Sequence, residues 1–317
     1  MGSLFLPILV NFTKDDMKPG SKSWLSASKN IREALENHGF FIATYDKLSD
    51  MLHESIFGQA DELFALPTES KIKNINEKPF HGYVGQIPIV PLHEGLGIDY
   101  ATTLEGVESF TNIMWPNGNT SFCETSLSFA KVVAELEKIV IRILFESYGI
   151  EKHAESHIES TTYLLRYLKY RAPQEGESAM AFPPHSDKSF ITILYQNHIS
   201  GLEVQTRDGE WINVVFPPSS FVVMAGDACQ AWSNNKVLSA IHRVTLSENK
   251  KDTRYTMALF SFLSKMVQVP EELVDDEHPL QFKPFRHNDL LHFYAVDPKR
   301  KTENILRDFC GTEISTT

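Results

Sequence analysis

The sequence has few of the features that mark secreted, membrane-spanning or nucleic-acid-binding proteins. Its 317 residues include only three cysteines, Cys123, Cys229 and Cys310, and their wide spacing argues against a disulfide framework or a zinc ribbon. No apolar run approaches the length of a membrane span. Lysine and arginine form no long block, and the formal net charge is −11. Neither nucleic acid nor an anionic membrane is therefore expected as a partner.

The N-terminal segment "MGSLFLPILVNF" is apolar, yet it has none of the marks of a targeting signal. It lacks a charged region and a small-residue cleavage site, and Leu6 stands where a myristoylation signal has Ser or Thr. We therefore predict a β-strand in this segment and a cytoplasmic protein in a reducing compartment. No obligate protein partner is expected.

Hydrophobic residues make up 42% of the sequence and charged residues 22%, which is the profile of a globular, enzyme-sized chain. In the first half, apolar residues recur at helical spacing in three segments, which predicts helices at about 24–37, 49–66 and 120–148. The run "GFFIATY" between the first two predicts a strand. Residues 79–118 contain many glycines and prolines but few periodic runs, and we predict loops and short strands there.

The second half of the chain consists mainly of short β-type runs. They include "TYLLRYLKYRA", "SFITILYQ", "GLEVQT", "EWINVVF", "SFVVMAG", "AIHRVTLS" and "RYTMALFSFL". Turn signals such as "RDGEW" separate them, which favours a sandwich or barrel over alternating βαβ units. The predicted fold is mainly β with helices on one face. It forms one compact unit, with an N-terminal helical and mixed region at 1–118, then the long helix, β core and C-terminal segment at 119–317.

The segment "FPPHSDKSFITIL" contains the first candidate metal ligands, His185 and Asp187. On an extended strand these two side chains would project from the same face. Two histidines and one carboxylate with open positions are diagnostic of non-haem iron(II) oxygenase sites, so a second histidine is needed. His242, in the apolar run "SAIHRVTLS", is the best candidate. His198 is predicted to be a turn residue, and the histidines of the polar C-terminal segments are predicted to be solvated: His278, His287 and His292.

A candidate anion clamp follows in the run "RYTMALF". Arg254 and Thr256 are two residues apart and would share one strand face. A guanidinium group binds a carboxylate with two parallel hydrogen bonds, and a neighbouring hydroxyl adds a further donor. A buried, unpaired arginine is destabilising, so the anion of a bound ligand is a physically reasonable partner for it.

These residues give the sequence a resemblance to a known family, the plant-type 2-oxoglutarate- and Fe(II)-dependent dioxygenases. The family's iron motif, His-x-Asp then His, matches His185, Asp187 and His242. Its Arg-x-Ser motif matches Arg254 and Thr256, with Thr in place of Ser. The resemblance covers nearly the whole chain, from "LENHGFF" and "FALPTESK" to "GLEVQTRDGEWINV" and "TMALFSF". The segments "HSDKSFITIL" and "FKPFRHNDLLHFY" look most like the clade of glucosinolate-modifying alkenyl and hydroxyalkyl (AOP-like) dioxygenases.

The resemblance implies a double-stranded β-helix, or jelly roll, braced by N-terminal and long central α-helices. It implies that the two histidines and the aspartate bind Fe(II), and that Arg254 and Thr256 bind the distal carboxylate of the cosubstrate 2-oxoglutarate. With O₂, such enzymes hydroxylate, desaturate, demethylate or cyclise a small organic substrate. Phe260 matches a residue that lines their substrate pocket, but an aromatic residue on a core strand is as often a packing residue, and both alternatives stay open. Many relatives carry Asn-x-Tyr before the iron motif. The alignment sets Tyr167 and Lys169 there, and a contact of either with 2-oxoglutarate stays open.

The organic substrate is expected to be a mostly apolar small molecule, because the chain is rich in aromatic residues and no second basic clamp stands out. Two alternatives to the dioxygenase stay open. An iron oxidase of the same fold that does not use 2-oxoglutarate would also carry Arg254 and Thr256. A ligand-binding protein with an idle metal site belongs to a different class, and the three intact ligands argue against it.

Overall fold

The computed structural model describes residues 6–13, 17–247, 252–296 and 304–312. The strands in these residues are β1 (Leu9–Asn11), β2 (Phe40–Thr44), β3 (His93–Asp99), β4 (Thr161–Tyr170), β5 (Met180–His185), β6 (Ile191–Gln196), β7 (Leu202–Gln205), β8 (Trp211–Asn213), β9 (Ser220–Ala225), β10 (His242–Thr245), β11 (Arg254–Leu263), β12 (Met266–Val267) and β13 (Phe285–Arg286). The α-helices are α1 (Lys22–Asn37), α2 (Asp50–Ala65), α3 (Thr68–Lys71), α4 (Leu104–Met114), α5 (Thr120–Ser147), α6 (Ala154–Ser160), α7 (Asp227–Trp232), α8 (His287–Val296) and α9 (Ile305–Cys310).

Two main sheets form the β core. The larger has seven strands in the order β1-β2-β9-β6-β11-β4-β3, and the smaller has four in the order β5-β10-β7-β8. Apart from the parallel pair β1 and β2, neighbouring strands of both sheets are antiparallel. Apolar residues of both sheets form one buried cluster, which includes Phe40, Ile42, Leu194, Val222, Met224, Leu202 and Val204. This is the predicted fold, a jelly roll that is mainly β with helices.

The long helix α5 covers the outer face of the larger sheet. Asn119 caps its N-terminus, since the side chain accepts a hydrogen bond from the Phe122 amide. Its 28 residues place apolar side chains at helical spacing on one buried face, which includes Val133, Leu136, Val140, Ile143 and Leu144. The helix contacts α1, α2, β6 and β11. The helices predicted at about 24–37, 49–66 and 120–148 are thus confirmed.

Strand β11 is buried on both faces, which explains its nearly continuous apolar sequence. Tyr255, Met257 and Leu259 belong to the core cluster that α5 covers. Side chains of a strand alternate between its faces. Arg254 and Thr256 therefore point to the other side, into the space between the two sheets, where both line a cavity.

The prediction for residues 79–118 was incomplete. This segment contains β3, which pairs with β4, and the helix α4. Thr103 caps α4 by accepting a hydrogen bond from the Gly106 amide at 3.1 Å. Val107, Phe110 and Met114 form its buried face. The helix α4 was not predicted, because its glycine and its short length weaken the periodic pattern. The helices after residue 150 were also missed, because they are too short to show a clear helical period.

Strands from the first 118 residues hydrogen-bond within the larger sheet, since β2 pairs with β9 and β3 pairs with β4. The division of the chain at residue 118 stays a prediction. In the part of the chain that the structure describes, no helix has the length and apolar character to cross a membrane.

Candidate active site

A cavity of about 230 Å³ lies between the two sheets. His185 is the last residue of β5 and His242 the first of β10, and the two strands pair with these residues opposite each other. Asp187 lies in the loop between β5 and β6. The expectation that His185 and Asp187 share one strand was therefore wrong, because the strand ends at His185. The loop nevertheless brings all three side chains into one group.

The three side chains direct their free donor atoms at a common point. Oδ1 of Asp187 lies 3.8 Å from Nε2 of His185 and 3.9 Å from Nε2 of His242. Each imidazole donates from Nδ1 to a backbone carbonyl two residues earlier, to Pro183 at 2.9 Å and to Ala240 at 3.0 Å. Because Nδ1 carries the proton, Nε2 of each ring keeps its lone pair for a metal ion.

Asp187 is held by its own loop. Thr192 donates its hydroxyl hydrogen to Oδ2 of Asp187 at 2.7 Å, and this leaves Oδ1 facing the histidines. The loop passes so close to Gly226 that a Cβ there would lie 2.2 Å from the Ser189 carbonyl oxygen. The Asp227 amide also donates to the Asp187 carbonyl at 2.8 Å. The backbone at the start of α7 thus fixes the position of the carboxylate.

His287 and Lys188 anchor the same loop from the other side. The prediction that His287 is solvated was wrong, because it is 2% exposed. Its Nδ1 accepts a hydrogen bond from the Leu263 amide at 3.0 Å, so its Nε2 is the donor to the Lys188 carbonyl at 2.6 Å. The Lys188 ammonium is itself buried and pairs with Asp227 at 2.7 Å. His278 and His292 are exposed, as predicted, and His198 is exposed as well.

The environment of His185 and of His93 favours neutral rings. Burial, reinforced by the neighbouring His242, holds the pKa of His185 well below its usual value. Burial likewise lowers the pKa of His93, a further residue of the cavity wall, to about 3, and the nearby guanidinium of Arg166 adds to the effect. Neutral imidazole is the form that binds a metal ion.

Arg254 and Thr256 form a second polar group in the cavity wall. They are 1% and 2% exposed. Nη2 of Arg254 donates to Oε1 of Gln196 at 2.8 Å, and the guanidinium carbon lies 5.1 Å from the centre of the Tyr170 ring. Among the described residues, Nε of Arg254 and the hydroxyl of Thr256 have no hydrogen-bond partner. Burial lowers the pKa of Arg254. Two buried donor groups are thus available to an anionic ligand.

Tyr170 is the aromatic residue of β4 that lies beside Arg254, and the sequence comparison pointed instead to Tyr167 and Lys169. Tyr167 points into the core of the helices, where its hydroxyl lies 2.6 Å from Oγ of Ser126. Neither Tyr167 nor Lys169 lines the cavity, whereas Tyr170 does. The alternation of side chains along β4 could have identified Tyr170, since residues 164, 166, 168 and 170 all face the cavity.

The remaining wall of the cavity is mainly apolar. Phe260 lies on it, on the same face of β11 as Arg254 and Thr256, as the spacing predicted. Its apolar neighbours on the wall are Leu164, Leu168, Leu194, Phe262 and Leu291. A second buried arginine, Arg166, also lines the cavity. It was not identified from the sequence, since no motif singles it out.

Comparisons with known proteins agree with this geometry. Residues 160–262 match the family model of the 2OG-Fe(II) oxygenase superfamily, and residues 11–90 match the model of the N-terminal region of a non-haem dioxygenase in morphine synthesis. A probable 2-oxoglutarate-dependent dioxygenase of Arabidopsis thaliana, AOP1.2, is 41% identical over 317 residues, 98% of this chain and 97% of that relative. This match confirms the resemblance to the AOP clade.

Solved structures give the same result for the fold. A rice dioxygenase for auxin oxidation has a TM-score of 0.81 at 25% identity, and the match covers 97% of this chain and 100% of the rice chain. The Arabidopsis thaliana dioxygenase for auxin oxidation 1, solved with 2-oxoglutarate, has a TM-score of 0.77 at 25% identity over 86% of this chain and 100% of its own. The chain belongs to the family of 2-oxoglutarate- and Fe(II)-dependent dioxygenases, and it is an oxidoreductase with Fe(II) as cofactor and 2-oxoglutarate as cosubstrate.

Proposed function

We propose that this enzyme oxidises a small, mostly apolar specialised metabolite at an Fe(II) ion bound by His185, Asp187 and His242. In this proposal Arg254 and Thr256 bind the distal carboxylate of 2-oxoglutarate. One observation carries the assignment. A buried guanidinium and a buried hydroxyl, each with a donor atom that has no partner among the residues that the structure describes, line the same cavity as three side chains that direct free donor atoms at one point.

The donor set fits iron. Imidazole nitrogen and carboxylate oxygen bind a divalent first-row ion at about 2.1 Å, so two donors of one ion lie at most about 4.2 Å apart. The Oδ1 to Nε2 separations of 3.8 and 3.9 Å satisfy this limit. Two histidines and one carboxylate leave coordination positions open, which is the arrangement of non-haem Fe(II) oxygenases.

Arg254 supports the assignment of the cosubstrate site. The described residues place no carboxylate within ion-pair distance of its guanidinium, and a buried positive charge of this kind is destabilising unless an anion binds it. Gln196 fixes one edge of the guanidinium by a 2.8 Å hydrogen bond. The Nε–H group, which has no hydrogen-bond partner among the described residues, remains for the ligand, and Thr256 offers a hydroxyl beside it.

When bound, Fe(II) supplies the oxygen-dependent redox chemistry in which 2-oxoglutarate is converted to succinate and CO₂. The residues of the chain bind and orient the reactants. Thr192 keeps Oδ1 of Asp187 directed at the metal position. The apolar wall around Phe260 holds the organic substrate and excludes water. Hydroxylation, desaturation, demethylation and ring formation all stay open as outcomes.

The relatives support a small-molecule substrate. AOP1.2 is described as a probable 2-oxoglutarate-dependent dioxygenase, and the rice structure as a dioxygenase for auxin oxidation. We carry over only the class of a small organic metabolite. The cytoplasmic location, and the lack of nucleic-acid, membrane and obligate protein partners, stay predictions from the sequence.

The test is the formation of succinate from 2-oxoglutarate by the purified enzyme, with and without Fe(II) and O₂. We expect slow formation that needs both and that His242→Ala abolishes while circular dichroism shows a folded protein. The alternative iron oxidase would consume O₂ without forming succinate. A binding protein with an idle metal site would do neither, so each alternative has its own outcome.

A further inference from the structure

Arg166 is a buried arginine in the middle of the cavity wall. It lies on β4, opposite Ala258 of β11 and Gly97 of β3, and it is 7% exposed. Its hydrogen bonds to other described residues both start from Nη1, and the carbonyl oxygens of Phe80 and Gly82 accept them. The Nε and Nη2 atoms form the other edge of the guanidinium, and this edge can bind a carboxylate with two parallel hydrogen bonds.

Nearby carboxylates already have other partners. On the neighbouring strand β3, Glu94 pairs with Lys71 at 2.7 Å and Asp99 pairs with Lys78 at 2.8 Å. The structure shows no ion pair between Arg166 and a carboxylate in the residues that it describes. Burial lowers the pKa of Arg166 to about 10, so the guanidinium still carries its charge at neutral pH.

The charges of the cavity balance except at Arg166. The charges of Fe(II) and Arg254 would balance those of Asp187 and the two carboxylates of 2-oxoglutarate. Lys188 is balanced by Asp227 at 2.7 Å. With both cofactor and cosubstrate bound, Arg166 would therefore keep an uncompensated charge in a mainly apolar cavity, which is unfavourable without a bound anion.

The backbone position of Arg166 is also separated from that of the cosubstrate group along the strand, while its guanidinium leans over Gly95, which lies opposite Leu168. Tyr170, which lies opposite Arg254, is four residues further along β4, about 13 Å on an extended strand. Around Arg166 the wall combines apolar side chains, which include Leu164, Phe262 and Leu291, with the buried imidazoles of His81 and His93. Gly95 provides the space for the guanidinium, because a Cβ there would lie 2.9 Å from Nη2 of Arg166.

We infer that Arg166 binds a carboxylate group of the organic substrate, and that this substrate is an otherwise mostly apolar organic acid. The inference rests on the proposed function, because it assigns the substrate to the cavity that holds iron and 2-oxoglutarate. The carboxylate lies on the Nε and Nη2 edge of Arg166, and the apolar body of the acid packs on the wall around Leu164 and Phe262. Arg166 is a substrate-binding residue that selects acids over their neutral analogues.

The experiment uses matched acid and amide probes on the enzyme loaded with Fe(II) and 2-oxoglutarate under nitrogen. Cinnamate and 4-phenylbutyrate are each compared with their primary amides by calorimetry. We expect the wild type to bind at least one acid about ten- to a hundredfold more tightly than its amide, the range of a charge-assisted hydrogen bond. If no acid binds more tightly than its amide, including the case in which neither binds, the inference is overturned.

Variants separate substrate binding from a structural role. Arg166→Gln removes the charge but keeps a donor for the Phe80 and Gly82 carbonyls, and we expect it to abolish the preference for the acid. Arg166→Lys keeps a point charge and should retain part of the preference. The matched control is Arg243→Gln, since Arg243 lies on β10 outside the cavity and pairs with Glu203. A preference that survives in Arg166→Gln would overturn the inference.

The affinity for 2-oxoglutarate distinguishes this inference from the proposed function. We expect Arg166→Gln to bind 2-oxoglutarate within about twofold of the wild type and to keep the slow, substrate-independent formation of succinate. Parallel loss of 2-oxoglutarate affinity would assign Arg166 to the cosubstrate site instead and overturn the inference. If the wild type forms no succinate at all, the proposed function fails, whereas acid binding at Arg166 is still measured directly.

Discussion

Thr192 donates its hydroxyl hydrogen to Oδ2 of Asp187 at 2.7 Å, and only Oδ1 of this carboxylate faces the two histidines. The hydroxyl of Ser189 lies 2.7 Å from that of Thr192 and continues the chain of hydrogen bonds into the loop. A carboxylate that is fixed in this way would offer a metal ion one oriented oxygen donor. The role of Thr192 is thus to position Asp187.

We predict that Thr192→Val weakens Fe(II) binding by about ten- to a hundredfold, because the isosteric valine leaves Oδ2 of Asp187 without its donor. Thr192→Ser keeps the hydroxyl and should retain most of the affinity. The measurement is a titration of the metal-free protein with Fe(II) under nitrogen. Equal affinities of the wild type and Thr192→Val would show that the hydrogen bond does not support the metal site.

Phe260 lies on the wall of the cavity rather than deep in the helical core. We predict that Phe260→Ala lowers substrate-stimulated succinate formation and preserves the slow formation without substrate, because iron and cosubstrate contacts remain. Phe129→Ala is the control, since Phe129 is 1% exposed in the core cluster on α5. Loss of such a core side chain costs about 3 to 5 kcal/mol. If Phe260→Ala loses both rates and thermal stability like Phe129→Ala, Phe260 is only a packing residue.

Glu137 is a buried carboxyl group on α5, remote from the cavity. The Tyr163 hydroxyl donates to its Oε2 at 2.8 Å, while Oε1 has no partner among the described residues. Burial raises the pKa of Glu137 from 4.5 to about 7. The folded protein therefore holds this proton more tightly than the unfolded chain, and stability falls as pH rises between these two values.

We predict that Glu137→Gln removes this pH dependence. The difference between the two pKa values corresponds to about 3 kcal/mol in the free energy of unfolding. The wild type has lost this stability completely above about pH 7 and retains all of it below about pH 4.5. Urea unfolding at about pH 5 and about pH 8 measures it, and the variant should gain stability relative to the wild type only at the higher pH. Glu135→Gln, an exposed position on the same helix, is the control. The same pH slope in the wild type and Glu137→Gln would contradict the assignment.

The sequence predicted those features that depend on local periodicity or on a spaced motif. The buried face of α5 and the shared face of Arg254, Thr256 and Phe260 follow from helical and strand periods, and the structure confirms both. His242 was found because it stands in an apolar run. These patterns are fixed by neighbouring residues of the chain, so a single sequence contains them.

The features that were missed depend on contacts between distant segments. His287 lies in a polar segment, but the packing of α8 buries it against the Lys188 carbonyl. Arg166 belongs to an ordinary strand pattern, and its place in the cavity depends on how β4 lies between β3 and β11. Tyr170 faces Arg254 for the same reason. Strand order is a tertiary property, and local patterns do not encode it.

The central claim is that iron and Arg254 bind opposite ends of one 2-oxoglutarate molecule. Its most direct test compares 2-oxoglutarate with 2-oxopentanoate, which keeps the 2-oxo acid but lacks the distal carboxylate. Calorimetry under nitrogen would measure both ligands against the wild type and Arg254→Lys, each with and without Fe(II). Such a cycle isolates the interaction between the guanidinium and the distal carboxylate.

We expect Fe(II) to strengthen the binding of both ligands to the wild type. Arg254→Lys should lower the affinity for 2-oxoglutarate by about ten- to a hundredfold, since a point charge does not reproduce two parallel hydrogen bonds. The affinity for 2-oxopentanoate should stay nearly unchanged. Equal losses for the two ligands, or 2-oxoglutarate binding that is the same with and without Fe(II), would contradict the account.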